Sequence, residues 1–530
     1  MLVALPFLAA LAPAPQSLSL ERISGPHPEL VQATDLRVPP AGSPGDRDLF
    51  FSTRDGRIVV LQGGTVRSTP FVDIGVVVET SGDVGLRAFQ FHPDYAANGQ
   101  VYVWYDANNG TAGVDGVLAR LERSSTDPFQ LDLSTYIELM RVPQAGRSHG
   151  GGTLEFDASG MLVMGIGDGQ PGGDPGCTAQ DPSNVLGAML RIDVDGGFPY
   201  AIPPDNPFVG VPGHAPEILH FGLRHPWKWD IDEVDGSMWI ADVGQAVAEE
   251  IDYVPPGAMG LNFGWSVLEG TDCFAHSSGC PGGVETDCAS PALTPPAFEY
   301  GHGLGCSVTG GAVYRGSLMP EVFGRYFFTD FCSKRIWSIE RGSGGFTTYE
   351  HPIVRYPNGA ILTLAATCGL DADGELILPD FVDGELYRLA PMGAVEPVCD
   401  GMPNRTGNPA LLSFTGSTSY AASDVRLRVD QAPPLSLSVL FYGFDEGSQP
   451  LGNGVLCVAP NPGPLVRVDY RLSDAQGVIQ YDVESDDDAF LFGGVTVGTT
   501  CVFQSWYRDV SGPLGFDTNT SGAVSVRFRP

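Results

Sequence analysis

A chain of 530 residues exceeds one ordinary domain and points to two or three. Its formal charge is -34, and Lys228 and Lys334 are its only lysines, so the surface repels nucleic acid and anionic lipid headgroups and argues against both as partners. Hydrophobic residues make up 43%, with 69 glycines, 44 prolines and only 17% charged residues, which fits many short strands joined by turns and not long helices.

The first residues, 1–15, have the apolar core and small-residue end of a secretory signal, without its basic start. No later run reaches the ~18 apolar residues needed to span a bilayer. Ten cysteines without a Cys-x-x-Cys pair fit an oxidising compartment, with disulfides the default and zinc disfavoured. A secreted, periplasmic or cell-surface location is expected.

One pattern then recurs: a short alternating strand, an Asp/Gly-rich turn, and a second strand. It starts at Asp48-Leu-Phe-Phe-Ser-Thr, Gln100-Val-Tyr-Val-Trp-Tyr, Met161-Leu-Val-Met-Gly-Ile, Met238-Trp-Ile-Ala-Asp, Arg325-Tyr-Phe-Phe-Thr-Asp and Glu375-Leu-Ile-Leu-Pro-Asp. Six copies predict an all-β, six-bladed β-propeller over residues 20–390, with a pair of β-sandwiches as the rival architecture. Residues 391–408 read as a linker. Beyond them, Val425-Arg-Leu-Arg-Val, Leu435-Ser-Leu-Ser-Val-Leu and Cys501-Val-Phe-Gln-Ser-Trp alternate strictly, predicting a C-terminal antiparallel β-sandwich over 409–530 that serves display, stability or adhesion at a cell surface. The acidic run from Glu484 reads as a solvated loop.

Three stretches carry chemistry. In Arg147-Ser-His149-Gly-Gly-Gly, a histidine able to accept a hydroxyl proton precedes glycines that permit close approach to the backbone; a structural histidine at a bend is the alternative. Gly165-Ile-Gly-Asp168-Gly reads as an Asp-Gly turn, with a calcium or ligand loop as the alternative, and it lacks the order and the following helix of a nucleotide-binding loop. Arg224-His225-Pro226 sets an arginine where it can stabilise an oxyanion or an anionic cofactor, or simply tie blades together.

Read jointly, these blocks resemble the glucose/sorbosone dehydrogenase family, the soluble quinoprotein sugar dehydrogenases. The resemblance rests on Gly85-Leu-Arg-Ala-Phe-Gln-Phe-His92-Pro-Asp-Tyr, Ser-His149-Gly-Gly-Gly, Leu186-Gly-Ala-Met-Leu-Arg-Ile-Asp, Ile202-Pro-Pro-Asp-Asn-Pro-Phe and the stretch 221–265. It implies oxidation of a sugar's anomeric hydroxyl with pyrroloquinoline quinone (PQQ) and calcium, and an external electron acceptor. Residue by residue, it makes His149 the general base and Arg224 the stabiliser of charge on the cofactor. It places Asp83, His225 (where the family usually has asparagine) and Lys334 at the cofactor, and Gly244 and Gln245 at the calcium through their backbone carbonyls.

The resemblance is incomplete. The basic pair that such enzymes carry near the last blade is missing from Ile361-Leu-Thr-Leu-Ala-Ala-Thr-Cys368-Gly-Leu-Asp-Ala-Asp-Gly. Tyr314-Arg-Gly and Gly324-Arg-Tyr-Phe-Phe-Thr-Asp-Phe are closer to the hedgehog-interacting-protein-like branch, which implies binding of a partner. Two expectations therefore stand: a quinone-dependent sugar dehydrogenase, and a non-catalytic extracellular propeller that binds a carbohydrate or a protein. A hydrolase lacks its paired carboxylates or Ser/His motif.

Overall fold

The structure is a computed structural model and describes residues 18–528 except 275–284, 352, 355–364, 392–394, 415–424, 460–464, 484–494 and 497. The expected signal segment, the acidic run and residues 361–364 lie outside the described residues. The chain is all-β: among the described residues, helix is confined to Tyr95–Asn98 and three single 3-10 turns.

Residues 18–391 form six sheets of four or five strands, beside one two-stranded ribbon. Four sheets are runs of consecutive strands; the second, for example, takes Leu86–Phe91, Gln100–Asn108, Val114–Arg123 and Leu131–Gln144 in order, and the fourth takes its last strand, Phe298–Gly301, from beyond the ribbon. The sixth instead borrows the start of the chain, because Leu18–Ser24 lies antiparallel to Leu386–Pro391, with Leu18 opposite Pro391. Apolar faces meet between successive sheets. Phe50 and Val60 pack on Phe89 and Val103, Val163 and Met189 on Trp229 and Ile240, and Trp239 and Ile251 on Tyr326 and Phe328. Ile377 and Leu386 of the sixth sheet pack on Phe51 and Val59 of the first, so the series of contacts closes on itself. Strands such as Leu49–Thr53 and Leu162–Ile166 are buried at every position, more than the expected alternation implies, because both of their faces are packed. The result is a β-propeller-like arrangement.

Every sheet contributes to two cavities, through its leading strand or the segment just before it. Thr34, Arg87, His149, Trp227, Thr309 and Ala366 line one. Residues one to six positions further along the same six stretches, among them Asp35, Gln90, Thr153, Lys228, Gly311 and Cys368, line the other. Lys228 lines the second cavity, and its ammonium donates to the carbonyl of Arg87, a residue that lines the first.

The C-terminal strands form a five-stranded sheet, Val395–Cys399, Thr518–Arg527, Thr500–Arg508, Leu437–Gly443 and Val466–Leu472 in spatial order, and a three-stranded sheet, Leu411–Phe414, Val425–Asp430 and Ile479–Val483. The two share one core that includes Leu427, Val429, Leu440, Tyr481, Phe503 and Val526. The stretch expected to be a linker contributes the edge strand Val395–Cys399, because its apolar residues pair with Thr518–Arg527. Disulfides join Cys273–Cys288, Cys306–Cys332 and Cys399–Cys457, and Cys177 is also disulfide-bonded. Cys368 and Cys501 are buried free thiols, which burial pushes up to about 12. No helix among the described residues is long and apolar enough to cross a membrane.

Candidate active site

The first cavity, about 310 Å³, is at the lower end of the ~300–1,000 Å³ usual for small-molecule sites. His149, Arg224, His225, Asp83 and Gly244 all line it. The family-derived set thus lines one cavity, with two exceptions.

His149 sits just ahead of the strand Leu154–Phe156 with φ at 59°, an uncommon backbone region for a residue with a side chain. The three glycines after it serve protein packing first. A Cβ at Gly150 would come within 2.6 Å of Arg87 Nε, one at Gly151 would collide with the carbonyl of Gly165, and one at Gly152 with the Trp227 ring. His149 Nδ1 lies 2.7 Å from Asp168 Oδ1, and Arg224 Nη2 lies 2.8 Å from His149 Nε2. A carboxylate can only accept and a guanidinium can only donate, so Nδ1 carries the proton and Nε2 keeps its lone pair. Asp168 is fully buried, and its other oxygen accepts Trp265 Nε1–H at 2.8 Å. Its Asp-Gly context alone suggests a turn or a ligand loop, and the partner across the strands gives it its task.

Arg224 is fixed at both ends. Its amide donates to Asp242 Oδ2 at 2.8 Å, and its guanidinium donates to the Val243 carbonyl at 2.7 Å and to Gln245 Oε1 at 3.2 and 3.0 Å. Burial lowers its pKa despite Asp168, Asp242, Glu249 and Glu269. Burial, reinforced by His149 and three cations, holds His225 well below the usual histidine range. It is therefore neutral, and its Nδ1 accepts the Gly151 amide at 3.3 Å.

Gln245 and Lys334 are the exceptions. Neither lines the cavity. The Gln245 side chain is held by Arg224 and by the Gly173 amide at 3.1 Å, so it positions the arginine instead of serving only through its backbone. Lys334 is half-buried in the turn after Tyr326–Asp330 with φ at 61°, and Phe331 of that turn reaches the cavity in its place.

Sequence reasoning missed two cations of the wall, Arg54 and Arg87. The Arg54 guanidinium donates to the carbonyls of Thr80, Gly82 and Val84, bracing the segment that carries Asp83. Arg87 is 2% exposed; its Nε donates to Asp106 Oδ2 at 2.6 Å, and its Nη2 has no hydrogen-bond partner. Arg87 stands inside the quoted block Gly85-Leu-Arg-Ala-Phe, which was the available signal. With Arg224, these residues give three guanidinium groups beside the aromatic rings of Trp227, Phe331 and Phe381. That set suits a flat, polyanionic molecule.

Behind Arg224, ligand oxygens of Asp242, Glu250 and Asp252 lie within 4.8 Å of one another. All three residues are buried, and neither oxygen of Asp252 has a hydrogen-bond partner. Burial pushes Asp242 up to about 7 and holds Glu250 and Asp252 well above the carboxylate range. Hard oxygen donors gathered in this way fit a divalent cation such as calcium.

A family model for glucose/sorbosone dehydrogenase matches residues 42–361. The chain belongs to this family. Among relatives, the HIPL1 protein of Arabidopsis thaliana is 30% identical over 403 residues, 63% of this chain and 56% of that protein. Hedgehog-interacting protein of Homo sapiens is 32% identical over 201 residues, 36% of this chain and 29% of that protein. The chain thus spans about half, or less, of these relatives' lengths. Among solved structures, the soluble aldose sugar dehydrogenase of Escherichia coli superposes with a TM-score of 0.57 at 20% identity, covering 71% of this chain and 100% of that one. The PQQ-bound aldose sugar dehydrogenase of Streptomyces coelicolor gives 0.53 at 22%, covering 71% and 99%. These structural likenesses speak for the fold.

Proposed function

We propose that the chain is a secreted sugar dehydrogenase that oxidises the anomeric hydroxyl of an aldose with PQQ and calcium, on a six-bladed propeller followed by a β-sandwich. The observation that carries this reading is the convergence of His149, Arg224 and the unpartnered Arg87 Nη2 on one cavity. His149 Nε2 would take the hydroxyl proton, and Asp168 would hold the tautomer and offset the charge of the resulting imidazolium. Arg224 Nη2, already at Nε2, would turn to negative charge developing in the cavity. Bound there, PQQ would supply a two-electron acceptor for hydride. Arg54, Arg87 and Arg224 would hold its carboxylates in place of the basic pair missing from 361–374, and Asp83 and His225 would contact its edge. Asp242, Glu250 and Asp252 would hold calcium next to the turn of Gly244 and Gln245.

A second reading is favoured by the relatives: a propeller that binds a carbohydrate or protein partner without catalysis, as the names HIPL1 and Hedgehog-interacting protein suggest. One experiment separates the two. The protein with calcium and PQQ is titrated by calorimetry and assayed by dye reduction with an aldose panel. Micromolar cofactor binding and turnover, with turnover abolished in His149→Gln and binding kept, support the dehydrogenase. Absence of cofactor binding leaves the partner-binding reading.

A further inference from the structure

We propose that the seam between the six-sheet part and the C-terminal sheets holds a second ligand site, which takes the carboxylate of a small acidic saccharide. A cavity of about 550 Å³ lies there, lined from both sides. The strand Val425–Asp430 supplies one side. Its alternation sends Val425, Leu427 and Val429 into the C-terminal core and sets Arg426 and Arg428 on the other face, towards the cavity. Arg47 and Arg388 come from the six-sheet side. In a chain with 29 basic against 63 acidic residues, four arginines around one cavity depart from its general character.

Arg428 is the residue that points to a ligand. It is 3% exposed. Its Nε donates to both Asp430 oxygens at 3.0 and 3.1 Å and its Nη2 lies 2.8 Å from Asp430 Oδ1, while Nη1 is buried without a hydrogen-bond partner. A buried charged donor without an acceptor costs stability, so an oxyanion at this point offsets that cost. Gly64 of the first sheet packs against this nitrogen, and a Cβ there would come within 2.5 Å of it. The carboxylates of the lining are turned to other tasks. Asp373 takes Arg47 at 2.8 and 2.7 Å, Asp371 accepts the amides of Asp373 and Glu375 at 2.9 Å each, and Glu375 accepts Tyr314 Oη–H and the Ser317 amide, both at 2.7 Å. Ser317 and Gln480 add hydroxyl and amide groups, and Leu49, Leu61, Leu318 and Ile377 add apolar wall. A ring bearing hydroxyls and one carboxylate matches this mixture. It could arrive as a free uronate or as a uronate residue within a polysaccharide.

The test is calorimetry on the full chain with D-glucuronate, tri-galacturonate, D-glucose and sulfate. Saturable glucuronate binding is expected, reduced at least about tenfold in Arg428→Gln and severalfold in Arg426→Gln, with both variants melting near the wild type. Tri-galacturonate binding more tightly than glucuronate identifies a polysaccharide source, and equal or weaker binding a free acid. Should Arg428→Gln fail to fold, Arg426→Gln decides alone. Glucose binding as tightly as glucuronate and weakened to the same degree in Arg428→Gln, no heat with either acidic sugar, or glucuronate binding unchanged in both variants overturns the site. Sulfate binding as tightly as glucuronate overturns the saccharide class.

Discussion

Lys228 is the most exacting test of how the segments around the two cavities are held. Its Nζ donates to the carbonyls of Arg87, at 3.1 Å, and Gly152, and pairs with Asp35 Oδ1 at 3.4 Å, in a side chain only 4% exposed. Both carbonyls belong to segments that build the candidate site. Lys228→Met keeps the stem and removes the charge. Removing one partner of a buried pair costs about 3–5 kcal/mol. Asp35 keeps Arg37 Nε at 3.1 Å and the Phe89 amide at 3.3 Å, so a loss of about 3 kcal/mol at neutral pH is expected. The pH dependence is the sharper signature. Burial lowers the Lys228 pKa from 10.5 to about 8. Between these values the unfolded chain binds the proton and the folded chain does not, so wild-type stability rises with pH through this window and is lost again as pH falls through about 8. The full interval corresponds to about 3 kcal/mol, of which about 2 kcal/mol accrues by pH ~9.5. Urea unfolding of both proteins at pH ~7.5 and ~9.5 should therefore show the gap between them widening by about 2 kcal/mol. A gap that stays constant means Lys228 titrates as a solvated lysine. A variant as stable as the wild type at both pH values removes the pair from the account of stability.

Asp168→Asn should lower turnover by on the order of 10²–10⁴ while leaving cofactor affinity within about twofold, because it unfixes the His149 tautomer without touching the cationic wall; turnover within about twofold of wild type would exclude Asp168 from positioning the base. Arg87→Lys keeps a charge for Asp106 but withdraws Nη2, so PQQ affinity by calorimetry should fall about tenfold, and unchanged affinity would take Arg87 out of the anion-binding wall. Gly152→Ala forces a methyl onto Trp227 and should cost about 1–3 kcal/mol in thermal unfolding. Gly303→Ala, whose methyl meets nothing within 4 Å, should be near neutral. Equal effects of the two would show that the packing of Trp227 on Gly152 contributes nothing.

The strands were legible because alternation and Asp/Gly turns are local. The strands Leu49–Thr53, Met238–Asp242, Tyr326–Asp330 and Leu376–Pro379 all fall where the pattern puts them. What local pattern does not carry is pairing at a distance. Leu18–Ser24 carries none of the six recurring strand-turn-strand copies, and only its register with Leu386–Pro391, across the whole six-sheet region, makes it part of the sixth sheet. Val395–Cys399 is hidden in the same way. Prolines and glycines around it look like a linker, while its ladder partner, Thr518–Arg527, lies at the far end of the chain.

The site divides along the same line. His149 and Arg224 stand in recognisable motifs, and they meet at 2.8 Å. Their supporting residues carry no signal of their own. An aspartate before glycine is a turn in most contexts; Asp168 differs because folding buries it between His149 and the Trp265 indole. Arg87 differs because Asp106, on the next strand, neutralises it and leaves one nitrogen over. The lack of basic residues in the described part of 361–374 weakens the cofactor reading only if the cations must come from that segment. The arrangement of sheets removes that condition, since segments of all six sheets line the same cavity. Arg54 follows Leu49–Thr53, the second strand of the first sheet, Arg87 is the second residue of Leu86–Phe91 in the second, and Arg224 precedes Pro226–Ile231 in the fourth. The charge at the cavity is gathered from several sheets, so a missing pair in one segment can be supplied from others.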